Sequence, residues 1–255
     1  MGLLVGCGSD GSKSNVSENG TASIGDLFEL KTVEESGIDF TNTITEDPVY
    51  NHILIDVIVN GGGVAVVDIN NDDLLDIYFA GNQVSDKLYL NKGNLEFEDI
   101  SVSSGIANDS WSTAVAVADV NNDGFQDIYV GKFVRQEPGM LENALYINNG
   151  DLTFTESAEQ YGLNHDGHCT AANFFDYDQD GDLDLYLGIE PFVLRHTKYD
   201  KNYQYEPTDY TDRLFRNDGN TFTDVTKAAG LENFNFTLAA TVSDVNHDGW
   251  PDMYV

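Results

Sequence analysis

One acidic nine-residue segment occurs four times in this chain and limits what the chain can fold into. The copies read DINNDDLLD from Asp68, DVNNDGFQD from Asp119, DYDQDGDLD from Asp176 and DVNHDGWPD from Asp244, and we call them loops 1 to 4. Each has Asp or Asn at positions 1, 3, 5 and 9, and three of the four have Gly at position 6. Ca²⁺ takes roughly six to eight such hard oxygen ligands, and Gly permits the left-handed turn that gathers them. The repetition predicts up to four calcium sites.

The candidate side-chain ligands differ in charge from loop to loop. Loop 3 has four carboxylates at the ligand positions, whereas each other loop has three and an Asn. Loop 1 alone has Asp73 in place of Gly, and Asp adopts the left-handed region at some cost. We therefore expect loop 3 to bind Ca²⁺ most tightly and loop 1 most weakly. The side-chain ligands are Asp68, Asn70, Asp72 and Asp76; Asp119, Asn121, Asp123 and Asp127; Asp176, Asp178, Asp180 and Asp184; and Asp244, Asn246, Asp248 and Asp252.

The residues after each loop exclude an EF-hand. That motif needs a bidentate Glu at position 12 and a following helix, but position 12 is Phe79, Val130, Leu187 or Val255. The segments that begin at position 9, such as DIYFAG and DLYLG, alternate β-branched and aromatic residues, which is typical of strands. Each loop therefore joins two strands.

The loop belongs to a larger repeat whose first Asp recurs after 51, 57 and 68 residues, a period of the size of propeller blades. A strand of small residues precedes each loop and a second strand begins at its position 9. In the first three repeats two further strands follow, joined by Lys-Gly, Asn-Gly or Asp-Gly turns. This pattern predicts an all-β fold, a β-propeller of four-stranded antiparallel blades. Residues 26–40 resemble the later fourth-strand segments, and the sequence stops within the fourth repeat. We therefore expect an incomplete ring.

The residues from 116 to 130, AVADVNNDGFQDIYV, resemble the FG-GAP or VCBS repeat, the calcium-loop blade of integrin α-subunit propellers. Similar blades occur in bacterial surface and secreted proteins of the cartilage-acidic-protein and UnbV type. The resemblance covers residues 26–255 and is specific for the blade and its metal, not for an activity. It implies that Ca²⁺ is bound by the side chains at positions 1, 3, 5 and 9 and by the backbone carbonyl at position 7. Those carbonyls belong to Leu74, Phe125, Asp182 and Trp250.

Charge and cysteine content restrict the partners and the location. The net charge of −32, from 44 acidic and 12 basic residues, argues against nucleic acid and anionic membrane as partners. The segment Leu4 to Cys7 resembles a bacterial lipobox, so residues 1–7 are interpreted as a truncated lipoprotein signal with a lipidated Cys7. Residues 8–25 form a flexible polar tether to a propeller at 26–255. A chance Cys is the alternative. The prediction is display on a bacterial cell envelope, attached to the membrane only through lipid, or else secretion.

The insert from Glu190 to Asp212 interrupts the blade pattern between strands 2 and 3 of the third repeat. It is rich in tyrosine and carries several cations, a combination typical of surfaces that bind carbohydrate or peptide. Strand order places it at the same end of the propeller as Trp111 and the loop with Lys132. An insert that folds over its own tyrosines as a lid is the alternative. The candidate ligand-binding residues are Trp111, Arg195, Tyr199, Tyr203, Tyr205 and Tyr210.

No catalytic residue is predicted. The acids are assigned to calcium, no Gly-rich phosphate loop precedes a helix, and the group of His165, His168 and Cys169 occurs once, so we interpret it as structural. Two classes of function remain. The first is a noncatalytic binding or scaffold module for a glycan or a protein at the envelope surface. The second is the noncatalytic part of a propeller-based polysaccharide lyase or hydrolase whose catalytic residues lie beyond these 255 residues.

Overall fold

The regular secondary structure of the computed structural model consists almost entirely of strands in small antiparallel sheets. It describes residues 3–6, 28–48, 51–53, 58, 60–133, 142–190, 211–219, 221–232 and 237–255. None of the helices in these segments is long and apolar enough to span a membrane. A two-stranded sheet and two helical turns accompany the larger sheets. Their bounds are β1 (Leu3–Gly6), β2 (Phe28–Lys31), α1 (Val33–Ser36) and α2 (Ala158–Tyr161).

Three four-stranded sheets follow one another along the chain, and each pairs its strands antiparallel in sequence order. We call them blades 1 to 3, and blade 4 is a final two-stranded sheet. They confirm the predicted all-β propeller of four-stranded antiparallel blades, and the described blades form no closed ring. Blade 1 contains β3 (Val64–Val67), β4 (Asp76–Phe79), β5 (Lys87–Asn91) and β6 (Phe97–Asp99); blade 2, β7 (Ser112–Ala118), β8 (Asp127–Lys132), β9 (Ala144–Asn148) and β10 (Phe154–Glu156); blade 3, β11 (Cys169–Phe175), β12 (Asp184–Ile189), β13 (Arg213–Asn217) and β14 (Phe222–Asp224); blade 4, β15 (Thr241–Ser243) and β16 (Asp252–Tyr254).

Each helical turn follows a short strand and ends at a glycine in the left-handed region. α1 follows β2 and ends at Gly37, and α2 follows β10 and ends at Gly162, both with φ of 76°. A Cβ on Gly37 would lie 2.2 Å from the carbonyl oxygen of Phe97, and one on Gly162 would lie 3.0 Å from that of Phe222. Both turns therefore pack against the fourth strand of the following blade. The segment after β2 thus covers blade 1 in the same way as α2 covers blade 3.

The blades pack against one another through apolar side chains. Tyr78 of blade 1 and Ile128 of blade 2 belong to one buried cluster, whereas Tyr129 of blade 2 and Leu185 of blade 3 belong to a second. Because successive strand residues point to opposite faces, Ile128 and Tyr129 bury both faces of β8. Phe40 covers the other face of blade 1 as part of a third cluster. Removal of this apolar surface from water, worth about 25 cal/mol per Å², holds the blades together.

A buried ion pair joins blade 1 to blade 2. Lys132 Nζ lies 3.6 Å from Asp86 Oδ2 and donates a hydrogen bond of 2.7 Å to Ser112 Oγ. The Asp86 carboxylate also accepts hydrogen bonds from the hydroxyls of Tyr78 (2.7 Å) and Ser112 (2.8 Å) and from the amide of Gly81 (2.7 Å). Burial raises the pKa of Asp86 and lowers the pKa of Lys132. Each charge thus needs the other to offset its loss of hydration.

The corresponding positions between blades 2 and 3 carry no charge. Asn143 takes the place of Asp86, and its Oδ1 accepts a hydrogen bond from the Lys132 amide (2.8 Å), as Asp86 does from Gly81. Ile189 takes the place of Lys132 at the end of the second strand. The acid and its cation are therefore replaced together, and neither interface contains an unmatched charge at this point.

We predict that Lys132→Met destabilises the protein by about 2–4 kcal/mol, because Asp86 loses its counter-ion while it stays buried. Chemical denaturation monitored by circular dichroism measures the change. Lys92→Met is the matched control, since Lys92 and Glu98 form an exposed ion pair of 3.4 Å and such pairs contribute about 1 kcal/mol or less. Adding Asp86→Asn to Lys132→Met should recover part of the loss. Equal effects of the two lysine substitutions would contradict the prediction.

Candidate metal centre

The four acidic loops share one backbone conformation, which the Asp at position 1 organises. In loop 2, Asp119 Oδ1 accepts a hydrogen bond from the Asp123 amide (3.0 Å) and Oδ2 accepts one from the Gly124 amide (2.8 Å). The same two bonds occur in loop 1 (3.2 and 2.8 Å), loop 3 (3.1 and 3.1 Å) and loop 4 (3.2 and 3.0 Å). Each loop connects the first two strands of its blade, as predicted, and folds back on its own first residue.

Two residues in every loop have left-handed backbone conformations. The first is position 6, where Gly124 has φ of 92° and Asp73 has φ of 66°. Loop 1 therefore adopts the common conformation despite its missing Gly. The second is position 4, which the sequence analysis missed; the residues there are Asn71 (58°), Asn122 (58°), Gln179 (62°) and His247 (61°). Asn at two of these positions is the signal that could have revealed it, since Asn tolerates this region better than most residues.

The Asp at position 9 is a structural residue as well as a candidate ligand. Asp127 is fully buried, and its Oδ2 accepts a hydrogen bond from the Val120 amide (3.0 Å) in the loop. Its Oδ1 accepts one from the Asn148 amide (2.8 Å) at the end of β9. Asp76 and Asp184 make the equivalent pairs of bonds. The carboxylate thus connects the acidic loop to the third strand of its blade.

The carboxylates within a loop lie close together, so the electrostatic repulsion between their negative charges is unfavourable. Burial, reinforced by the negative charges of Asp123 and Asp119, raises the pKa of Asp127 to about 6. Burial, reinforced by Asp178 and Asp180, likewise raises the pKa of Asp184 to about 6. Both pKa shifts mean that the loop environment disfavours the ionised form of the Asp127 and Asp184 carboxylates. A bound cation would reverse that preference.

Three carboxylates converge in loop 3. Oxygens of Asp176, Asp178 and Asp184 all lie within 4.8 Å of one another, a group that could hold a metal ion. Asp178 Oδ1 and its counterpart at position 3 of loop 1, Asn70 Oδ1, are buried from solvent and have no hydrogen-bond partner within the described structure. Buried oxygens are normally hydrogen-bonded. A hard cation, which prefers carboxylate and amide oxygens, fits this donor set.

The predicted ligand-binding surface is only partly described. Trp111 is 2% exposed, and its carbonyl accepts a hydrogen bond from the Phe133 amide (3.1 Å). Lys132 lies in the buried ion pair with Asp86. Neither side chain offers a surface to a ligand here, because both are buried. Arg195, Tyr199, Tyr203, Tyr205, Tyr210 and Cys7 lie outside the described residues.

The group ahead of β11 is part of the interface between blades. His168 Nδ1 is hydrogen-bonded to the Phe133 carbonyl, and the buried Cys169 packs against Gly131, where a Cβ would lie 2.4 Å from the sulfur. His165 packs edge-on against the ring of Phe215, with ring centroids 6.2 Å apart. Burial, reinforced by the positive charge of the nearby Arg213, lowers the pKa of His165 to about 4.

Comparison with known proteins agrees with the blade and loop geometry. The FG-GAP-like repeat matches at residues 68–130, 134–187 and 205–255, more than half of the chain. The chain belongs to the FG-GAP-like repeat family. In this FG-GAP-like protein the first matched segment contains loops 1 and 2, the second contains loop 3 and the third contains loop 4.

Similarity to individual proteins is weaker. No curated protein sequence matches the FG-GAP-like chain significantly. One similar solved structure is a lectin of Agrocybe aegerita, described as recognising non-reducing terminal N-acetylglucosamine, with 17% identity and a TM-score of 0.36. The match covers 77% of this chain and 43% of that one, so the chain spans less than half the length of the lectin.

We predict that Asp73→Gly stabilises loop 1 and that Gly124→Asp destabilises loop 2. Both positions have left-handed backbone, which costs a non-Gly residue about 1 kcal/mol. Space is not limiting, because a Cβ on Gly124 would meet no atom within 4 Å. Urea denaturation of the calcium-free protein measures the changes. Asp73→Asn is the control, since it removes the charge and keeps a side chain on the strained backbone. If it stabilises as much as Asp73→Gly, charge rather than conformation is responsible.

Proposed function

We propose that this FG-GAP-like protein is a noncatalytic, calcium-stabilised binding module whose ligand is a glycan or a protein. The calcium part rests on the convergence of Asp176, Asp178 and Asp184 within 4.8 Å, together with the buried, unpaired Oδ1 of Asp178. The shared conformation of the four loops supports extending the assignment to all of them. Side chains at positions 1, 3, 5 and 9 would hold the ion, and the carbonyl at position 7 stays a prediction.

A cation in each loop would contribute stability rather than chemistry. It would offset the repulsion between carboxylates that burial and mutual charge create. Since position 1 follows the first strand and position 9 begins the second, the ion would also fasten these two strands together. Position 9 extends that effect to the third strand through its hydrogen bond to the amide of Asn148 or Asn217.

The ligand part of the proposal rests on the opposite end of the blades. In antiparallel blades the connections between strands 2 and 3 lie at the end away from the metal loops. A cavity of about 200 Å³ opens at that end, where the first strands of the blades begin. The insert after Glu190, with its predicted tyrosine-rich surface, starts from the same end. The cavity is lined by Asn60, Gly61, Gly62, Thr113, Phe133, Thr170 and Leu238.

We predict that Ca²⁺ raises the melting temperature and that EDTA lowers it by more than a matched change in ionic strength does. Removing carboxylates from loop 3 with Asp176→Asn and Asp180→Asn should reduce the calcium-dependent increase more than Asp68→Asn and Asp72→Asn in loop 1. Loop 3 has more negative charge at its ligand positions and the favourable Gly. Calorimetric titration of the same variants gives the order of affinities, and Glu96→Gln, an exposed acid outside the loops, is the control. A melting temperature that EDTA does not change would refute the calcium assignment.

We predict that Tyr203→Ala combined with Tyr205→Ala weakens ligand binding at least tenfold, or about 1.4 kcal/mol, while calcium affinity and melting temperature stay unchanged. Tyr side chains often dominate binding energy. Binding is measured on immobilised glycans and on extracted envelope proteins. Tyr203→Phe with Tyr205→Phe keeps both rings and is the control. Unfolding of the Ala variant would instead identify the insert as a lid built round its own tyrosines.

A further inference from the structure

A side chain from each of the first three loops reaches the next loop. The donor is always the residue at position 4, and the acceptor is at position 6 or 7 of the loop in the following blade. Because these contacts link residues of different blades, they form a row across the metal end of the propeller. The contacts are Asn71 Nδ2 to the Gly124 carbonyl (3.0 Å), Asn122 Nδ2 to Asp182 Oδ1 (2.9 Å), and Gln179 Nε2 to the Gly249 carbonyl.

Position 4 lies between two candidate ligands of its own loop. Gln179, for example, stands between Asp178 and Asp180 and has a left-handed φ of 62°. Its acceptor, Gly249, is the left-handed residue of loop 4, with φ of 90°. The position of the Gln179 donor therefore depends on the folded conformation of loop 3. Its bond to Gly249 holds the left-handed turn through which loop 4 folds back on its own first residue.

A second set of contacts, made by asparagines at the ends of third strands, connects loop 1 to loop 2 and loop 2 to loop 3. Asn148, at the end of β9, donates from Nδ2 to the Ile69 carbonyl in loop 1 (2.7 Å), while its backbone amide donates to Asp127 of loop 2 (2.8 Å). Asn217 joins loops 2 and 3 in the same way through the Val120 carbonyl (3.1 Å). One asparagine thus contacts the backbone of one metal loop and the position 9 carboxylate of the next.

We propose that neighbouring metal loops are coupled, so that a cation in one loop raises the cation affinity of the next. The inference rests on the proposed calcium function and names its regulation. A cation fixes positions 3 and 5, which orients the position 4 donor, and the bond from this donor holds the next loop in its binding form. By thermodynamic linkage the effect acts equally in both directions. Direct repulsion between two cations would have the opposite sign and is screened by salt, so the sign of the coupling tests the mechanism.

Loop 4 contains its own spectroscopic reporter. Trp250 is at position 7 of this loop, and the sequence contains one other tryptophan, the buried Trp111. Tb³⁺ takes oxygen ligands as Ca²⁺ does and emits when a nearby aromatic side chain is excited. Because Tyr177 lies in loop 3, tryptophan is excited selectively, so that the luminescence reports occupancy of loop 4. The test is a titration of Tb³⁺ into the full chain and into the double variant Asp176→Asn with Asp180→Asn, which removes two carboxylates from loop 3. The expected result is a midpoint for loop 4 about three- to tenfold higher in the variant.

Position 4 variants identify the route. Gln179→Gly removes the donor and keeps a residue that adopts left-handed backbone freely. In this background, disabling loop 3 should leave the loop 4 midpoint unchanged. Asn71→Gly makes the same change between loops 1 and 2, so it should leave the response of loop 4 to loop 3 intact. Asp180→Asn alone, which keeps the Asp176 carboxylate that holds the loop backbone, replaces the double variant if that one unfolds, and the midpoint should again rise, by a smaller factor.

The outcomes separate the coupling from the calcium function. If the loop 4 midpoint is unchanged or falls when loop 3 is disabled, the coupling is refuted while calcium binding stands. If Gln179→Gly does not remove the effect, the proposed route is refuted. If the unaltered chain gives neither Tb³⁺ luminescence nor heat on calorimetric titration with Ca²⁺, the calcium function itself fails.

Discussion

The blade depends on one buried carboxylate that several backbone segments share. Asp127 receives an amide from the loop before it and another from the end of the third strand, so three consecutive parts of blade 2 meet at one side chain. An ionised carboxylate has about four acceptor positions, and these two bonds leave the rest for a cation. Asp76 and Asp184 do the same in the neighbouring blades. The residue thus combines the folding of the blade with the construction of its metal loop.

The asparagine at the end of the third strand connects each position 9 carboxylate to the loop of the preceding blade. Its amide completes the carboxylate site of its own blade, and its side chain satisfies a carbonyl in the preceding loop. Apolar burial provides most of the attraction between blades but is not directional. Polar contacts of this kind, and the buried pair of Asp86 with Lys132, fix the register of one blade on the next. They also make each interface chemically distinct, since Asn143 and Ile189 replace that pair one blade later.

Antiparallel order separates two tasks in space. Loops 1 to 4 lie at one end of the blades, where their acids are crowded, and the connections between strands 2 and 3 lie at the other. The proposed ligand would therefore bind at the far end without disturbing the loops. The proposed coupling would make the loops fill together, so that the blades become rigid over a narrow range of calcium concentration.

The sequence by itself determined the features that local chemistry controls. Four oxygen-rich loops of one spacing, glycine at a left-handed position, and alternating strands after each loop were sufficient to predict a propeller of four-stranded blades with candidate metal sites. Even the exception at Asp73 was visible, and the structure shows it in the same conformation as Gly124. These features involve residues within about ten positions of one another, so the one-dimensional pattern contains them.

Only the tertiary structure decided which groups meet between blades. The bonds from Asn148 to Ile69 and from Asn217 to Val120 join residues 79 and 97 positions apart, and no local pattern predicts such a pair. For the same reason Trp111 and Lys132, which the sequence placed on a binding surface, proved to be buried. Whether a large or charged side chain faces solvent depends on how the next blade packs against it. That position follows from the twist and stacking of whole sheets, not from the residues beside it in the chain.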